Sequence, residues 1–301
     1  AELYSFMKNA NPGIKRLAKD YFLHDEKDVE KVVEYAINKK IELAIIGPEA
    51  PEEAGITNAL MEHDIKVASP TKEAAEIETN KEFMRNLMEK YRIRGSVKCK
   101  TFSDIEMAKE FIEMLDGEVA IKPIGLTGGK GVKVAGDHFK SIDDAVKYAG
   151  EVIERGIGGH HKVLIEEKIV GEEFTLQAFC DGSTIYPMPA VQDHKRLLPG
   201  DKGPNTGGMG SYSHRSGILP FMTADDYEEA ATILQKIVEA LKREGREYKG
   251  VIYGQFMLTA DGTRVIEINA RFGDPEAMNV LPLLKTNFIL SLIHISEPTR
   301  L

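Results

Sequence analysis

The chain has 301 residues, a formal net charge of −9, two cysteines, no tryptophan and 42% hydrophobic residues. That length suggests about two domains, each able to bury a core, and a content of 29% charged and 7% aromatic residues excludes a disordered or fibrous chain. The acidic balance argues against a nucleic-acid binder, no apolar run approaches the ~20 residues of a membrane span, and two cysteines build no disulfide framework, which fits a reducing, cytoplasmic setting.

Residues 2–6 read as a strand that starts mid-domain, and Ala1 is not an initiator, so a partial chain is expected. Residues 28–40 place Val29, Val32, Val33, Ala36 and Ile37 at helical spacing. Residues 41–47 then form a short apolar run ending in glycine, as a buried parallel strand does. A helix at 52–63 and a strand at 66–69 repeat the cycle, which predicts a partial N-terminal open parallel α/β domain over 1–79. Ligands of such sheets sit at the carboxyl ends of strands, where the turn Gly47-Pro48-Glu49-Ala50-Pro51 lies; an ordinary rigid turn is an equal reading.

The rhythm changes near Asn80, and residues 80–290 are expected to form a largely antiparallel second domain with a small subdomain over about 97–166. Its helices are predicted at 80–91, 104–115, 141–155 and 224–243. Its strands are predicted near Val97 and at 119–123, 132–135, 162–167, 173–181, 184–191, 251–259 and 264–270. The loop 192–217 packs seven glycines and prolines between Pro199 and Gly210, and loops of that length are functional or disordered. Residues 281–290 continue a helix, whereas 291–301 lose the helical period and are expected to be a non-native tail outside the fold.

The run Gly125-Leu126-Thr127-Gly128-Gly129-Lys130-Gly131 is not a P-loop, because Gly131 rather than Ser or Thr follows Lys130 and no helix comes next. It reads as a hairpin tip whose backbone N–H groups can cradle phosphates, with Lys122 adding positive charge. Taken alone it would be a long hairpin. Glu166, Glu167 and Ile169 end one strand and Glu173 follows a turn at Gly171, an arrangement able to meet an adenine edge and ribose hydroxyls; taken alone it would be a solvated acidic face. In 265–271, period two puts Glu267, Asn269 and Arg271 on one face, with Val265. Glu267 and Asn269 offer hard oxygen ligands for magnesium, and Arg271 a fork for phosphate or carboxylate. The bland alternative, an amphipathic strand, is weakened by the second polar turn Arg271-Phe272-Gly273-Asp274-Pro275-Glu276. Gln255, on a neighbouring strand, is either a second metal ligand or a plain strand amide.

Together with Gly47–Pro51, the segments Gln192-Asp193-His194-Lys195-Arg196, Gly203-Pro204-Asn205-Thr206-Gly207-Gly208-Met209-Gly210 and Arg271–Glu276 resemble the phosphoribosylamine–glycine ligase family of the ATP-grasp fold, over about residues 1–290 in order. The resemblance implies an ATP-grasp domain with a small glycine-loop subdomain. ATP would be bound by Lys81, Lys122, Gly128, Gly129, Lys130, Gly131, Glu166, Glu167, Ile169 and Glu173, and Mg2+ or Mn2+ by Glu267 and Asn269. Pro48, Glu49, Asp193, Lys195, Asn205, Thr206, Gly207, Arg271 and Asp274 would line the site for glycine and 5-phosphoribosylamine, with Arg271, Lys122 and Asp193 acting in catalysis. It further implies a monomer at full length, and a glycine-rich turn before Ala1 and a domain beyond about residue 290 that are expected to be missing here; Thr127-Gly128 stands where the family has a pair of alanines.

The chemistry so implied passes a phosphoryl group from ATP to the glycine carboxylate, and the amine of phosphoribosylamine then displaces phosphate from glycyl phosphate, early in purine synthesis. Positioning and charge neutralisation dominate such transfers, which suits a site without a Ser–His–Asp or Cys–His arrangement. Cys99 and Cys180 are read as packing residues, and His194 as either orienting the amine or structuring its loop. The rival readings are another ATP-grasp carboxylate–amine ligase, an inactive nucleotide-binding fragment and, more distantly, a P-loop NTPase.

Overall fold

Two parallel strand pairs carry the N-terminal part of the computed structural model, which describes residues 1–128, 131–200 and 202–297. β1 (Tyr4–Met7) pairs with β2 (Asp20–Leu23) across α1 (Pro12–Leu17), whose start is set by proline and by Asn11 accepting from the Gly13 and Ile14 amides. α2 (Val29–Asn38), capped by Asp28, leads to β3 (Leu43–Ala44), a shorter strand than the apolar run predicts. The helix expected at 52–63 is two helices, α3 (Glu49–Ala54) and α4 (Ile56–Met61). They part at Gly55, whose φ of +89° lies in the left-handed region. β4 (Lys66–Val67) pairs parallel with β3. α5 (Lys72–Thr79) has no counterpart in the sequence reading; its buried face is mostly small, Ala74, Ala75 and Ile77, and gives a weak periodic signal.

Asn80 ends α5 and caps α6 (Lys81–Lys90) through the Phe83 amide. β5 (Cys99–Phe102), α7 (Ile105–Met114), β6 (Val119–Pro123), β7 (Lys133–Val134), α8 (Ile142–Arg155) and β8 (Val163–Glu167) follow. The strands form an antiparallel sheet in the order β5-β8-β6-β7, and α7 and α8 pack on it around Phe102, Ile112, Ile121, Tyr148 and Ile165. As expected, the glycine run joins β6 to β7 as a hairpin.

The larger sheet contains β9 (Glu172–Asp181), β10 (Ile185–Pro187), β11 (Val191–Asp193), β14 (Ser211–Ser213), β15 (Lys249–Thr259) and β16 (Gly262–Asn269), in the order β14-β11-β9-β15-β16 with β10 on β9. β9 is buried without interruption from Phe174 to Cys180, because α6 and α9 (Ala224–Arg243) cover one face and a second cluster around Phe179, Val251 and Leu292 covers the other. The strand predicted at 184–191 is divided between β10 and β11. The long loop is not structureless: β12 (Arg196–Leu198) and β13 (Lys202–Asn205) make a hairpin inside it, and β14 returns beside β11.

β16 corrects the strand reading. Gln255 faces Glu267 but Phe256 faces Val265, so Ile266 is an extra residue, a bulge. Val265 therefore turns into the core together with Ile268, and does not share a face with Glu267. After α10 (Ala277–Val280), the helix expected over 281–290 is broken: Leu281–Leu283 is a 3-10 turn, and α11 (Phe288–Ser296) starts afresh and runs past Leu290, burying Leu292 and Ile295 against Ala68, Phe179 and Val251. Its apolar residues are dense rather than periodic, which hides the helix from a pattern search. Among the described residues, no single helix is long and apolar enough to cross a membrane.

Candidate active site

The floor of the cleft is a buried ionic cluster. Lys122, near the end of β6 and 5% exposed, places Nζ 2.8 Å from Glu166 Oε2 and donates to the Ile266 carbonyl at 3.0 Å. Arg85 of α6, 2% exposed, donates from Nε to Glu166 Oε1 at 2.6 Å and from one terminal nitrogen to the carbonyls of Val265 and Ile266 at 3.0 and 3.1 Å. Glu166 is 3% exposed; burial disfavours its charge, but Arg85 and Lys122 outweigh this and hold its carboxyl below the usual range. Its side chain is therefore a strut between two cations, which leaves the backbone of this segment for the expected nucleotide contact. Arg85 was missed in the sequence, although it follows Lys81 by four residues on the same helix face.

Lys81 sits at the first turn of α6, and its Nζ donates to the Gly125 carbonyl at 3.1 Å. Burial pulls its pKa down, opposed by the nearby Glu267. The glycine hairpin is thus fastened at both feet, since Tyr148 Oη donates to the Gly131 carbonyl at 2.7 Å. Gly125 has no room for a side chain: a Cβ would stand 2.2 Å from the Gly158 carbonyl oxygen. Gly128 adopts φ +59°, and Gly129 and Lys130 lie outside the described residues. Glu167 accepts from the Lys98 amide at 2.9 Å, while Ile169 lies half-buried in the connection from β8 to β9.

Glu173, the expected ribose acid, is shared between Lys195 Nζ at 3.2 Å and Gln255 Nε2 at 2.9 Å. Gln255 thus orients Glu173 through its amide nitrogen. Burial works against the Lys195 charge, but Glu173, Asp193 and Glu267 outweigh it and keep the ammonium charged. Asp193 is pushed up by burial. Glu267 and Asn269 stand on β16 beyond the bulge, and among the described residues neither makes a side-chain hydrogen bond. A carboxylate and an amide oxygen two residues apart fit a hard cation that takes its remaining ligands from phosphate and water. No group of three or more His, Cys, Asp or Glu among the described residues encloses a metal by itself.

On the other wall, Arg271 does not hold its fork open. Its Nε donates to Glu49 Oε2 at 2.9 Å, one terminal nitrogen lies 3.2 Å from Glu78 Oε1, and the other donates to the Phe272 carbonyl. Three of its five N–H groups are thereby engaged, and the remaining two are available to an anion. Glu49 accepts from Arg271 through one carboxylate oxygen, and Pro48 is the exposed residue before α3. Glu78 also accepts from the Ala270 amide at 2.6 Å. Thr206 closes its loop by donating from both its amide and its hydroxyl to the Lys195 carbonyl; Gly207 has open space around it, Asn205 pairs with Arg196 through the backbone, and Asp274 is exposed. His194 stacks on Tyr212 at the surface, which favours the loop-structuring reading. Burial pushes the Cys99 thiol to about 11 and Cys180 to about 12, so neither is a nucleophile at neutral pH.

Glu78 gives a pH-dependent prediction. Burial, the largest influence, raises its pKa to about 7 despite Arg271. A carboxyl that binds its proton more tightly when folded stabilises the fold fully below its unfolded pKa, here about 4.5, and loses that contribution as pH rises through about 7. Glu78→Gln is expected to flatten this part of the stability curve, so that its unfolding temperature falls less than that of the parent chain between about pH 5 and 8. Parallel slopes in a thermal-melt series would refute the assignment.

A family model described as phosphoribosylglycinamide synthetase, N domain, matches residues 1–78, and one described as phosphoribosylglycinamide synthetase, ATP-grasp (A) domain, matches residues 79–277. The chain belongs to the phosphoribosylglycinamide synthetase family. The phosphoribosylamine–glycine ligase of Methanothermobacter thermautotrophicus is 56% identical over 289 residues, covering 96% of this chain and 66% of that protein. The Pyrococcus furiosus ligase is 52% identical over 297 residues, covering 99% and 66%. The chain thus spans 66% of the length of each of these two synthetase relatives. Among solved structures, the phosphoribosylamine–glycine ligase of Thermotoga maritima superposes with a TM-score of 0.81 at 24% identity, covering 99% of this chain and 76% of that one. Biotin carboxylase from Campylobacter jejuni superposes at 0.75 with 14% identity, covering 99% and 71%, a likeness of fold that agrees with the ATP-grasp domain named by the family model.

Proposed function

We propose that this chain carries the site for ATP- and Mg2+-dependent ligation of glycine to 5-phosphoribosylamine. The observation that carries the reading is that Lys81, Lys122 and Lys195 gather around Glu267, beside the foot of the glycine hairpin and the loops that the family resemblance assigns to the acid and amine substrates. A nucleotide is favoured further by fold relatives whose structures hold one: the biotin carboxylase domain of Hydrogenobacter thermophilus, at a TM-score of 0.73, was solved with MgADP and bicarbonate. Mn2+ in place of Mg2+, a cytoplasmic setting and a monomeric state of the whole protein belong to the same reading.

The residues divide the work. Lys81 and Lys122 neutralise the phosphates, and the glycine hairpin closes over them, excluding water that would hydrolyse an acyl phosphate. Glu267 and Asn269 would hold the metal, which supplies charge neutralisation between the phosphates. A glycine carboxylate oxygen attacks the γ-phosphorus, the bond to the ADP oxygen breaks, and glycyl phosphate forms. Arg271, through its two remaining N–H groups, and Lys195 orient the two substrates' anionic groups. The amine nitrogen then attacks the acyl carbon, phosphate departs, and the nitrogen loses its proton, with Asp193 as the proposed acceptor.

The test is ADP formation from Mg-ATP with glycine and freshly generated phosphoribosylamine, each omitted in turn. ADP release that requires both substrates is the expected result. Release with another amino acid but not glycine would keep the fold and overturn the substrates, and nucleotide binding without turnover in every mixture would favour the inactive-fragment reading.

A further inference from the structure

Arg85 is an arginine in an apolar place. Met84, Leu87 and Met88 surround it on α6, all at least 97% buried, and a methionine or leucine would satisfy the packing there. Its charge instead reaches across to two other elements. One carboxylate, Glu166, is gripped by Arg85 on one oxygen and by Lys122 on the other. One bulge carbonyl, Ile266, receives both cations, and the preceding carbonyl, Val265, is satisfied by Arg85. Lys122 has three N–H groups; Glu166 and Ile266 take two, which leaves a single one aimed by the other two. The bulge also sets the direction of Glu267, the next residue along β16.

We propose that Arg85 is a positioning residue of the nucleotide site: through Glu166 and the carbonyls of Val265 and Ile266 it sets the directions of the Lys122 ammonium and of the Glu267 carboxylate. The proposal rests on the nucleotide-binding part of the reading above. Arg85 acts from behind the site: its Nε and one terminal nitrogen are committed to Glu166 and β16, and its other terminal nitrogen lies against Met88 Sδ. Without it, Glu166 has one partner left and draws Lys122 fully onto itself, while the Val265 carbonyl loses its donor. A rigid planar fork performs this task in a way that an ammonium on a flexible stem does not, so lysine restores the charge without the geometry.

Mg-ADP titration by calorimetry tests this on the 301-residue chain, Arg85→Met, Arg85→Lys, Glu166→Gln and the Arg85→Met/Glu166→Gln pair. Arg85→Met is expected to weaken Mg-ADP binding at least ~10-fold, Arg85→Lys by an intermediate factor, and the double variant by no more than about twofold beyond Arg85→Met, because the two residues act as a unit. A merely structural role lowers the unfolding temperature of these variants and leaves the Mg-ADP affinity of the folded chain unchanged. Arg85→Met within about twofold of the parent chain, or losses that multiply in the double variant, would overturn the proposal. Should Arg85→Met fail to fold, Arg85→Lys decides, and parental affinity in it is the refuting result. A parent chain that takes up no Mg-ADP would overturn the nucleotide reading itself, and this is seen before any variant is made.

Discussion

Glu166→Ala is expected to destabilise the chain by about 3–5 kcal/mol, the range for breaking a buried ionic cluster by removing the partner that neutralises it. Two cations would then remain in a dry interior, Arg85 at 2% and Lys122 at 5% exposure, with only the β16 carbonyls to receive them. Glu166 also lies in the central strand of the small sheet, opposite Cys99 on one side and Ala120 on the other, so the site cannot relax by moving away. Chemical denaturation with an unchanged slope measures the loss. A cost below about 1 kcal/mol would mean that water already reaches the cluster and that the pair is no more than a surface salt bridge in strength.

Lys122→Met should behave in the opposite way. Glu166 keeps Arg85 at 2.6 Å, the methionine stem fills much of the volume, and the stability cost should be the smaller of the two. The loss appears in chemistry, because a fixed charge on the phosphates contributes where negative charge is redistributed in the transition state. A fall of about 10²–10³-fold in ATP-dependent ligation is expected, in the range measured for removal of one preorganised charge-stabilising group. Steady-state kinetics and a melt on the same preparation separate the two variants. If Lys122→Met lost stability and kept its rate, the lysine would be a structural counter-ion and the phosphate contact would lie elsewhere.

Much of this was legible in the chain. The hairpin with its glycines, the acid and amide two residues apart on one strand, and the loop motifs each carry chemistry in the identity and spacing of their residues. Contacts between distant segments were not. Arg85 and Glu166 are 81 residues apart, and Arg271 and Glu49 are 222, so no local pattern announces either pair. The face assigned to Val265 failed for a different reason: period two assumes an unbroken strand, and a single extra residue at Ile266 reverses the alternation. Helices escaped where the hydrophobic contrast is low, as in α5 with its alanines, or where it is uniform, as in α11.

The bulged strand has one more consequence. β16 is the outermost strand of its sheet, and an open rim of backbone groups is where a second chain can add itself and begin a fibril. Here part of that rim is occupied: the Val265 amide donates to the Gly95 carbonyl, the carbonyls at 265 and 266 are taken by the arginine and the lysine, and the Ala270 amide just beyond the strand is taken by Glu78. The charges that gather at the cleft therefore also deny the sheet to foreign strands. Variants that thin the cleft's ionic cluster are exposed to self-association as well as to slower turnover, and the two defects share one origin.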